Sequence, residues 1–330
     1  MSTEPAAVIV VGTSAGGPSA LKHLVAGLPA DMAVAVLIVM HVGRRESILP
    51  QILSPCSSLP VRHAVDGEAL YAGTILVAPP DRHLLVESGK VRLSGGAKEN
   101  HARPAIDPLF RTAAQAYGPR VIGVILTGNL DDGTLGLQAV KAHGGIGIVQ
   151  DPVEADVPTM PQSALDHVDV DYCLPLDGIA GTLIKVVREI EKTGQYEGPT
   201  SDFRVTQMKD RYLTGLPDMA ELDKIGERSK FTCPECHGVL WEIRNGEPHQ
   251  FRCHTGHAFT ALALAEAQDQ ATEEALWGAL RALHEKRTLM ERFAEKADQN
   301  KRPEAAADYR KVAEQAARHS EMLRKLIGEQ

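Results

Sequence analysis

The sequence predicts an α/β fold: a doubly wound, three-layer α/β/α domain with a mostly parallel sheet, followed by two smaller units. Three observations carry this. From residue 7 to about 192, short apolar runs alternate with stretches of helical periodicity. Several runs, such as Ala7-Val8-Ile9-Val10-Val11, are continuously apolar, as strands are when helices cover both faces of a parallel sheet. The first run passes through the glycine-flanked turn Gly12-Thr13-Ser14-Ala15-Gly16 into a helical pattern with Pro18 in its first turn.

The expected strands are Ala7–Val11, Ala33–Met40, Thr74–Ala78, Val121–Leu126, Ile146–Val149 and Asp171–Leu174. Most are runs of Val, Ile and Leu of strand length, too short for helices. Leu84–Glu87 and Lys90–Leu93 flank Ser88-Gly89 and read as an antiparallel hairpin. Helices are expected at Pro18–Gly27, Ile106–Ala116, Leu135–His143, Met160–Asp166 and Ile179–Lys192. The chain then turns polar and glycine-rich from Thr193 to Asp202, which reads as a linker. From Thr260 the chain is rich in Ala, Glu, Leu, Lys and Arg, with a break at Asn300-Lys301-Arg302-Pro303. That pattern predicts two long helices in an antiparallel α-helical hairpin. The organisation expected is an α/β domain over 1–192, a linker over 193–230, a compact module over 231–259 and a helical tail over 260–330.

Composition narrows the function. A chain of 330 residues with 43% hydrophobic content has room for more than one domain and a sizeable core. The net charge of −8 and the lack of a long basic run argue against a nucleic-acid partner. Met1-Ser2-Thr3-Glu4-Pro5 lacks the basic start of a signal peptide, and no apolar stretch is long enough to span a bilayer. A cytoplasmic protein without direct membrane insertion is therefore expected. Cys56 and Cys173 stand alone while Cys233, Cys236 and Cys253 cluster, which is not a secreted disulfide framework.

The turn Gly12–Gly16 has the G-x-S-x-G form of a nucleophile elbow, which lifts a serine hydroxyl above the sheet edge at a helix N-terminus. A phosphate loop or a plain βα turn is the alternative, but G-x-G-x-x-G is absent and no Gly-Lys-Ser/Thr follows. A serine needs a base and an orienting acid. In open α/β sheets, sites form at the carboxyl ends of strands. His41 follows the run ending at Met40, and Asp132 lies just past the run ending at Leu126. The division expected is Ser14 as nucleophile, His41 as base then acid, and Asp132 as orienter. Asp131 competes for the acid role, either aspartate suits a helix cap, and His63, His83 and His101 also fall in loops. An ordinary α/β-hydrolase runs Ser, Asp, His, whereas the order here is Ser, His, Asp.

The segments Val11–Pro18, Met40-His41-Val42, Ala78–His83, His101–Asp107, Leu126-Thr127-Gly128 with Asp132-Gly133, and Met160-Pro161 resemble the catalytic domain of CheB-type chemotaxis protein-glutamate methylesterases. The likeness covers about residues 5–192, in the family's order and approximate spacing. It implies hydrolysis of glutamate γ-methyl esters on the cytoplasmic domain of chemoreceptors, and often deamidation of receptor glutamines. It carries the triad onto Ser14, His41 and Asp132 and sets Arg103 and Met160 at the substrate groove. The oxyanion would be held by the backbone N–H groups of Ala15 and Asn129. Where many members have Met-Gly-Ala, this chain has Asn129-Leu130-Asp131, so a turn-permitting glycine is lost at Leu130. Members typically carry an N-terminal receiver domain that occludes the site. Here the first strand begins by residue 7, so the expectation is a site free of that control.

In the module, Cys233-Pro234-Glu235-Cys236 is a C-x2-C knuckle, followed by Cys253 and His257. Val239–Ile243 and His249–Arg252 alternate like strands around the turn signal Asn245-Gly246. Three thiolates and an imidazole form a closed tetrahedral Zn²⁺ site, hence a structural one, in a zinc-ribbon-like module. His254 is the other candidate, but beside Cys253 on an extended strand it points elsewhere. Some receiver-less relatives carry a similar extension. No cofactor is expected for catalysis. The tail residues Leu276, Leu280, Leu283, Met290, Phe293, Tyr309, Val312, Met322, Leu323 and Leu326 suit a self-packing hairpin, with docking of chemosensory signalling proteins as the alternative. The rival functions are a non-catalytic signalling adaptor and a serine hydrolase for a different methyl ester or amide. Methanol release separates them.

Overall fold

The computed structural model describes residues 4–42, 46–193, 219–244 and 247–328. The α/β domain runs β1 (Ala7–Thr13), α1 (Gly17–Ala26), β2 (Val34–Met40), α2 (Leu49–Leu53), β3 (Val61–His63), β4 (Thr74–Val77), β5 (His83–Glu87) and β6 (Lys90–Ser94). It continues through α3 (Ile106–Tyr117), β7 (Val121–Ile125), α4 (Thr134–Ala142), β8 (Ile146–Gln150), α5 (Thr159–His167), β9 (Tyr172–Leu174) and α6 (Leu176–Thr193). Seven strands form one sheet in the order β3-β4-β2-β1-β7-β8-β9. Every pairing in it is parallel. The expected antiparallel hairpin is present as β5–β6, which forms a separate two-stranded sheet. Sequence periodicity missed β3 and α2. Three half-exposed residues, Val61-Arg62-His63, carry no apolar run to read.

The continuously apolar strands are buried on both faces, as parallel packing requires. Along β1, Ala7, Ile9 and Val11 enter a core with Leu21 and Leu24 of α1 and Leu183 and Val187 of α6. Val8 and Val10 point the other way, into a core with Leu109 and Phe110 of α3 and Val140 of α4. β1 pairs with β2 on one side and β7 on the other, so the chain reverses its winding there. That switch point is where α/β sheets open a crevice at the carboxyl ends of their strands.

The module was expected to begin at 231, yet residues within the anticipated linker are ordered. α7 (Met219–Ile225) and β10 (Gly226–Thr232) precede β11 (Val239–Ile243), β12 (Gln250–Cys253) and β13 (Ala258–Thr260). These make a four-stranded antiparallel sheet, not a simple hairpin. Leu222 of α7 packs on Trp241 and Ile243, and the Trp241 indole N–H donates to Asp223 Oδ1 at 2.7 Å. The apolar partner on α7 explains why the linker reading stopped too late. Residues 194–218 and the Asn245-Gly246 turn lie outside the described residues.

Two compact units are distinguished, one ending at Leu264 and one starting at Ala265. The first holds both the α/β domain and the four-stranded module. The second holds most of α8 (Ala261–Gln299) and all of α9 (Pro303–Ile327), which Phe293–Tyr309 and His284–Ser320 contacts make antiparallel. Small residues dominate its buried positions: Ala267, Ala294, Ala297, Ala306, Ala313, Ala316 and Ser320, with Leu280. Phe293, Met322 and Leu326, expected in the seam, are exposed. No helix among the described residues is long and apolar enough to cross a membrane.

Candidate active site

The turn after β1 is held by the neighbouring strand ends. Ser14 N–H donates to Thr127 O at 3.1 Å, and His41 N–H to Thr13 O at 3.4 Å. These bonds extend the parallel ladder past the strands and fix three loops at one edge. Gly16 sits in the left-handed region at φ +79, and an added Cβ there would meet Asp156 at 2.8 Å. Gly128 lies between Ser14 and Met160, where a Cβ would meet Met160 Cε at 2.5 Å and Ser14 Cβ at 3.0 Å. Glycine at both positions lets the loops close on the serine.

The Ser14 hydroxyl lies 3.2 Å from His41 Nδ1. His41 Nε2 lies 2.8 Å from Asp132 Oδ2. With Nε2–H donated to the carboxylate, the Nδ1 lone pair faces the serine. The roles of the two ring nitrogens are thus exchanged relative to the serine-protease arrangement. Asp132 is 1% exposed and accepts three further N–H groups. Ile106 N–H reaches Oδ2 at 2.6 Å, while Asn100 Nδ2 and the Asp107 N–H reach Oδ1 at 2.9 and 3.2 Å. Burial alone would raise its pKa. The His41 hydrogen bond and charge, helped by Ile106 and Asn100, outweigh it and hold Asp132 down to about 2.

Asp131 turns away from the histidine, its Oδ1 accepting the Thr260 hydroxyl at 2.7 Å. Burial pushes its pKa up to about 6, against the Thr260 hydrogen bond and with the Asp132 charge. Neither aspartate caps α4 through its side chain. That task falls to Asp107 on α3, whose Oδ1 accepts Gly133 and Gly136 N–H at 3.0 and 2.6 Å. Burial first, then the charge of Asp132, raises the Asp107 pKa.

The remaining expected residues fall as follows. Neither the Ala15 nor the Asn129 N–H meets an acceptor among the described residues. Ala15 is exposed, and both flank the serine, one in its own turn and one in the 127–129 loop. Leu130 takes φ +63, so the turn that glycine would allow is kept with a strained leucine. Met160 is fully buried beneath Gly128, a packing position under the serine rather than an open groove wall. Arg103 has its guanidinium engaged: Nε and Nη2 reach Asp81 Oδ1 at 3.0 and 2.6 Å, and Nη1 bonds the Gly95 and Gly96 carbonyls. It clasps loops rather than offering a free cation.

Sequence reasoning missed Thr127, Gln150, Asn100, Asp107 and Thr260. The Thr127 hydroxyl donates to Ala15 O at 3.0 Å and accepts Val157 N–H at 2.9 Å, while Gln150 Oε1 accepts Thr127 N–H at 2.9 Å. Gln150 carried a signal, a polar residue ending the apolar run from Ile146. Asn100 and Thr260 carried none, because their partners are remote in sequence.

In the module, Cys233, Cys236, Cys253 and His257 bring one ligand atom each within 4.8 Å of the others. Cys236 Sγ and Cys253 Sγ are 3.6 Å apart, and His257 Nδ1 is 3.5 Å from Cys253 Sγ. Sulfurs about 2.3 Å from a tetrahedral ion are spaced much like this. His254 lies outside the cluster, against Gly238. The donor set fits a metal ion.

A family profile described as CheB methylesterase matches residues 9–183. The chain belongs to the CheB methylesterase family. It is 41% identical over 180 residues to a Leptospira interrogans protein provisionally named protein-glutamate methylesterase/protein-glutamine glutaminase, covering 54% of this chain and 93% of that one. It is 38% identical over 191 residues to a Methanosarcina mazei protein-glutamate methylesterase/protein-glutamine glutaminase 2, covering 55% of this chain and 52% of the longer relative. Among solved structures, the Thermotoga maritima CheB methylesterase catalytic domain matches with TM-score 0.53 and 36% identity, over 55% of this chain and 98% of that one. The family likeness thus covers the seven-stranded domain and leaves the module and tail outside it.

Proposed function

We propose that the chain is a serine hydrolase that removes methyl groups from glutamate γ-methyl esters in the cytoplasmic domain of chemoreceptors. The observation that carries the reading is the relay from Ser14 through His41 to buried Asp132 at one sheet edge, in a chain of the CheB methylesterase family. Ser14 Oγ attacks the ester carbonyl while His41 Nδ1 takes its proton. The Ala15 and Asn129 N–H groups, which meet no acceptor among the described residues, receive the charge that develops on the carbonyl oxygen. His41 returns the proton to the departing methoxide, which leaves as methanol. Water, deprotonated by the same nitrogen, then cleaves the acyl-enzyme to give the glutamate carboxylate and free Ser14. Asp132 keeps Nε2 protonated throughout and stabilises the imidazolium. A receptor glutamine follows the same route with ammonia leaving, which matches the glutaminase half of the relatives' names.

Cys233, Cys236, Cys253 and His257 would hold Zn²⁺, which suits three thiolates and an imidazole. With four protein ligands the ion supplies folding energy and no reactive position. The tail is read first as a self-packing helical hairpin, with docking of signalling proteins through it as the second reading. The test is methanol release from methylated receptor membranes. Release that disappears in Ser14→Ala supports the esterase. No release points to an adaptor, and release only from unrelated esters points to another hydrolase.

A further inference from the structure

We infer that Thr260, the last residue of the metal module's sheet, is a positioning residue for the catalytic acid, so that the module forms part of the mounting of the esterase site. The inference rests on the hydrolase reading above. Thr260 is fully buried, with both its hydroxyl and its backbone N–H engaged. Its hydroxyl donates to Asp131 Oδ1 at 2.7 Å and accepts Ala263 N–H at 3.1 Å. Its backbone N–H donates to Asn100 Oδ1 at 3.1 Å. Asn100 Nδ2 in turn donates to Asp132 Oδ1 at 2.9 Å and to Asp107 Oδ2 at 3.0 Å. Only this orientation of the amide serves all three partners; the flipped one would set an oxygen against two carboxylates.

The loop bearing Asn100 is gripped by both halves of the metal knuckle. Glu235, between the two cysteines of the C-x2-C pair, takes Lys98 Nζ at 2.7 Å. Past the second pair, Ala258 O accepts Asn100 N–H at 2.8 Å, and Ala258 N–H donates to Lys98 O at 3.3 Å. Glu99, between these, accepts hydrogen bonds from Arg111 of α3 and forms an ion pair with Arg252 of β12 at 3.5 Å. Asn100 and His101 both sit in the left-handed region, at φ +49 and +60. Two adjacent residues of that kind persist only where their surroundings over-determine them. Here the surroundings are the module. His257 lies three residues before Thr260, so closing the metal knuckle fixes where β13 presents Ala258 and Thr260.

The experiment uses the full chain with a glutamate γ-methyl ester peptide, comparing Thr260→Val and Thr260→Ser with the parent. Losing the hydroxyl leaves Asp131 unsatisfied beside the acid, and the expected effect is a fall in kcat of about tenfold with KM unchanged. Serine restores the hydroxyl and should restore kcat. Unchanged kcat in Thr260→Val, or a loss that serine does not rescue, overturns the inference. A readout without turnover separates it from the hydrolase reading. In the inert Ser14→Ala chain, metal chelation should raise amide exchange in residues 98–107 as well as in 226–260. Exchange confined to 226–260 would overturn the coupling, whatever the parent's substrate proves to be.

Discussion

Four donors converge on the Asp132 carboxylate, and each is worth keeping in a site where an unpaired charge is costly. Ser14→Ala and His41→Ala should abolish ester hydrolysis while leaving the fold intact, because both side chains sit at a strand-end loop and not in the two cores. Asp132→Asn should cost about 10⁴ in kcat by disturbing the tautomer of His41. Asp131→Asn should cost far less, since Asp131 meets Thr260 instead of the histidine. Steady-state kinetics on the four variants checks the ranking, and a damaging Asp131→Asn with a harmless Asp132→Asn would reverse the assignment. Asp131 also sets a pH dependence. Its carboxyl is raised from 3.8 to about 6, so the unfolded chain gives up its proton first. The stability it contributes is present below about 4 and lost as pH rises through about 6. Asp131→Asn keeps an acceptor for Thr260 and removes that loss, so it should stabilise at pH 7.5, on the order of 1–3 kcal/mol, and not near pH 4. Denaturant melts at the two pH values decide it; an equal difference at both would contradict the assignment. At this scale the sequence made Ser14, His41 and Asp132 legible, because each follows a readable apolar strand. It could not choose between Asp131 and Asp132 by spacing, since neighbours in one loop differ only in which way the turn aims them.

The elbow works as an element because β1, β7 and α5 close on one another with almost no side chain between Ser14 and Met160. Gly128→Ala places a methyl into that contact. Overpacking of this kind costs about 1–3 kcal/mol, and a shift of the 127–129 loop moves the Asn129 N–H away from the reacting carbonyl. The expected result is a lower melting temperature and a kcat reduced by more than about tenfold, measured against Gly181→Ala, where the added methyl meets nothing. Normal kcat in Gly128→Ala would remove the loop from the site. The long apolar strands and amphipathic helices were readable because burial on both faces writes itself into composition. β3, α2 and α7 were not, because short or half-exposed elements are fixed by packing partners far along the chain. The tail was readable as two helices but not as an alanine-lined seam. Periodicity drew attention to large residues such as Met322 and Leu326, which are exposed.

At the scale of the whole molecule, an esterase fold of the CheB type and a four-ligand knuckle share the unit that ends at Leu264. Metal analysis of the purified chain should find about one zinc per chain, lost in Cys236→Ser. Chelation should loosen the module while the seven-stranded sheet keeps its secondary structure, because that sheet has two cores of its own. An ordered module with no bound metal would contradict the zinc assignment. The module's ligand set was visible in cysteine spacing, whereas its placement beside the acid was not, since it depends on Asn100 and Thr260 meeting across 160 positions of sequence separation. The central claim is that Ser14, His41 and Asp132 act together on glutamate methyl esters. The most direct measurement is methanol release from methylated receptor membranes by the full chain and by its Ser14→Ala variant. Release is expected from the first and none above background from the second. Equal release from both, or none from either, would contradict it.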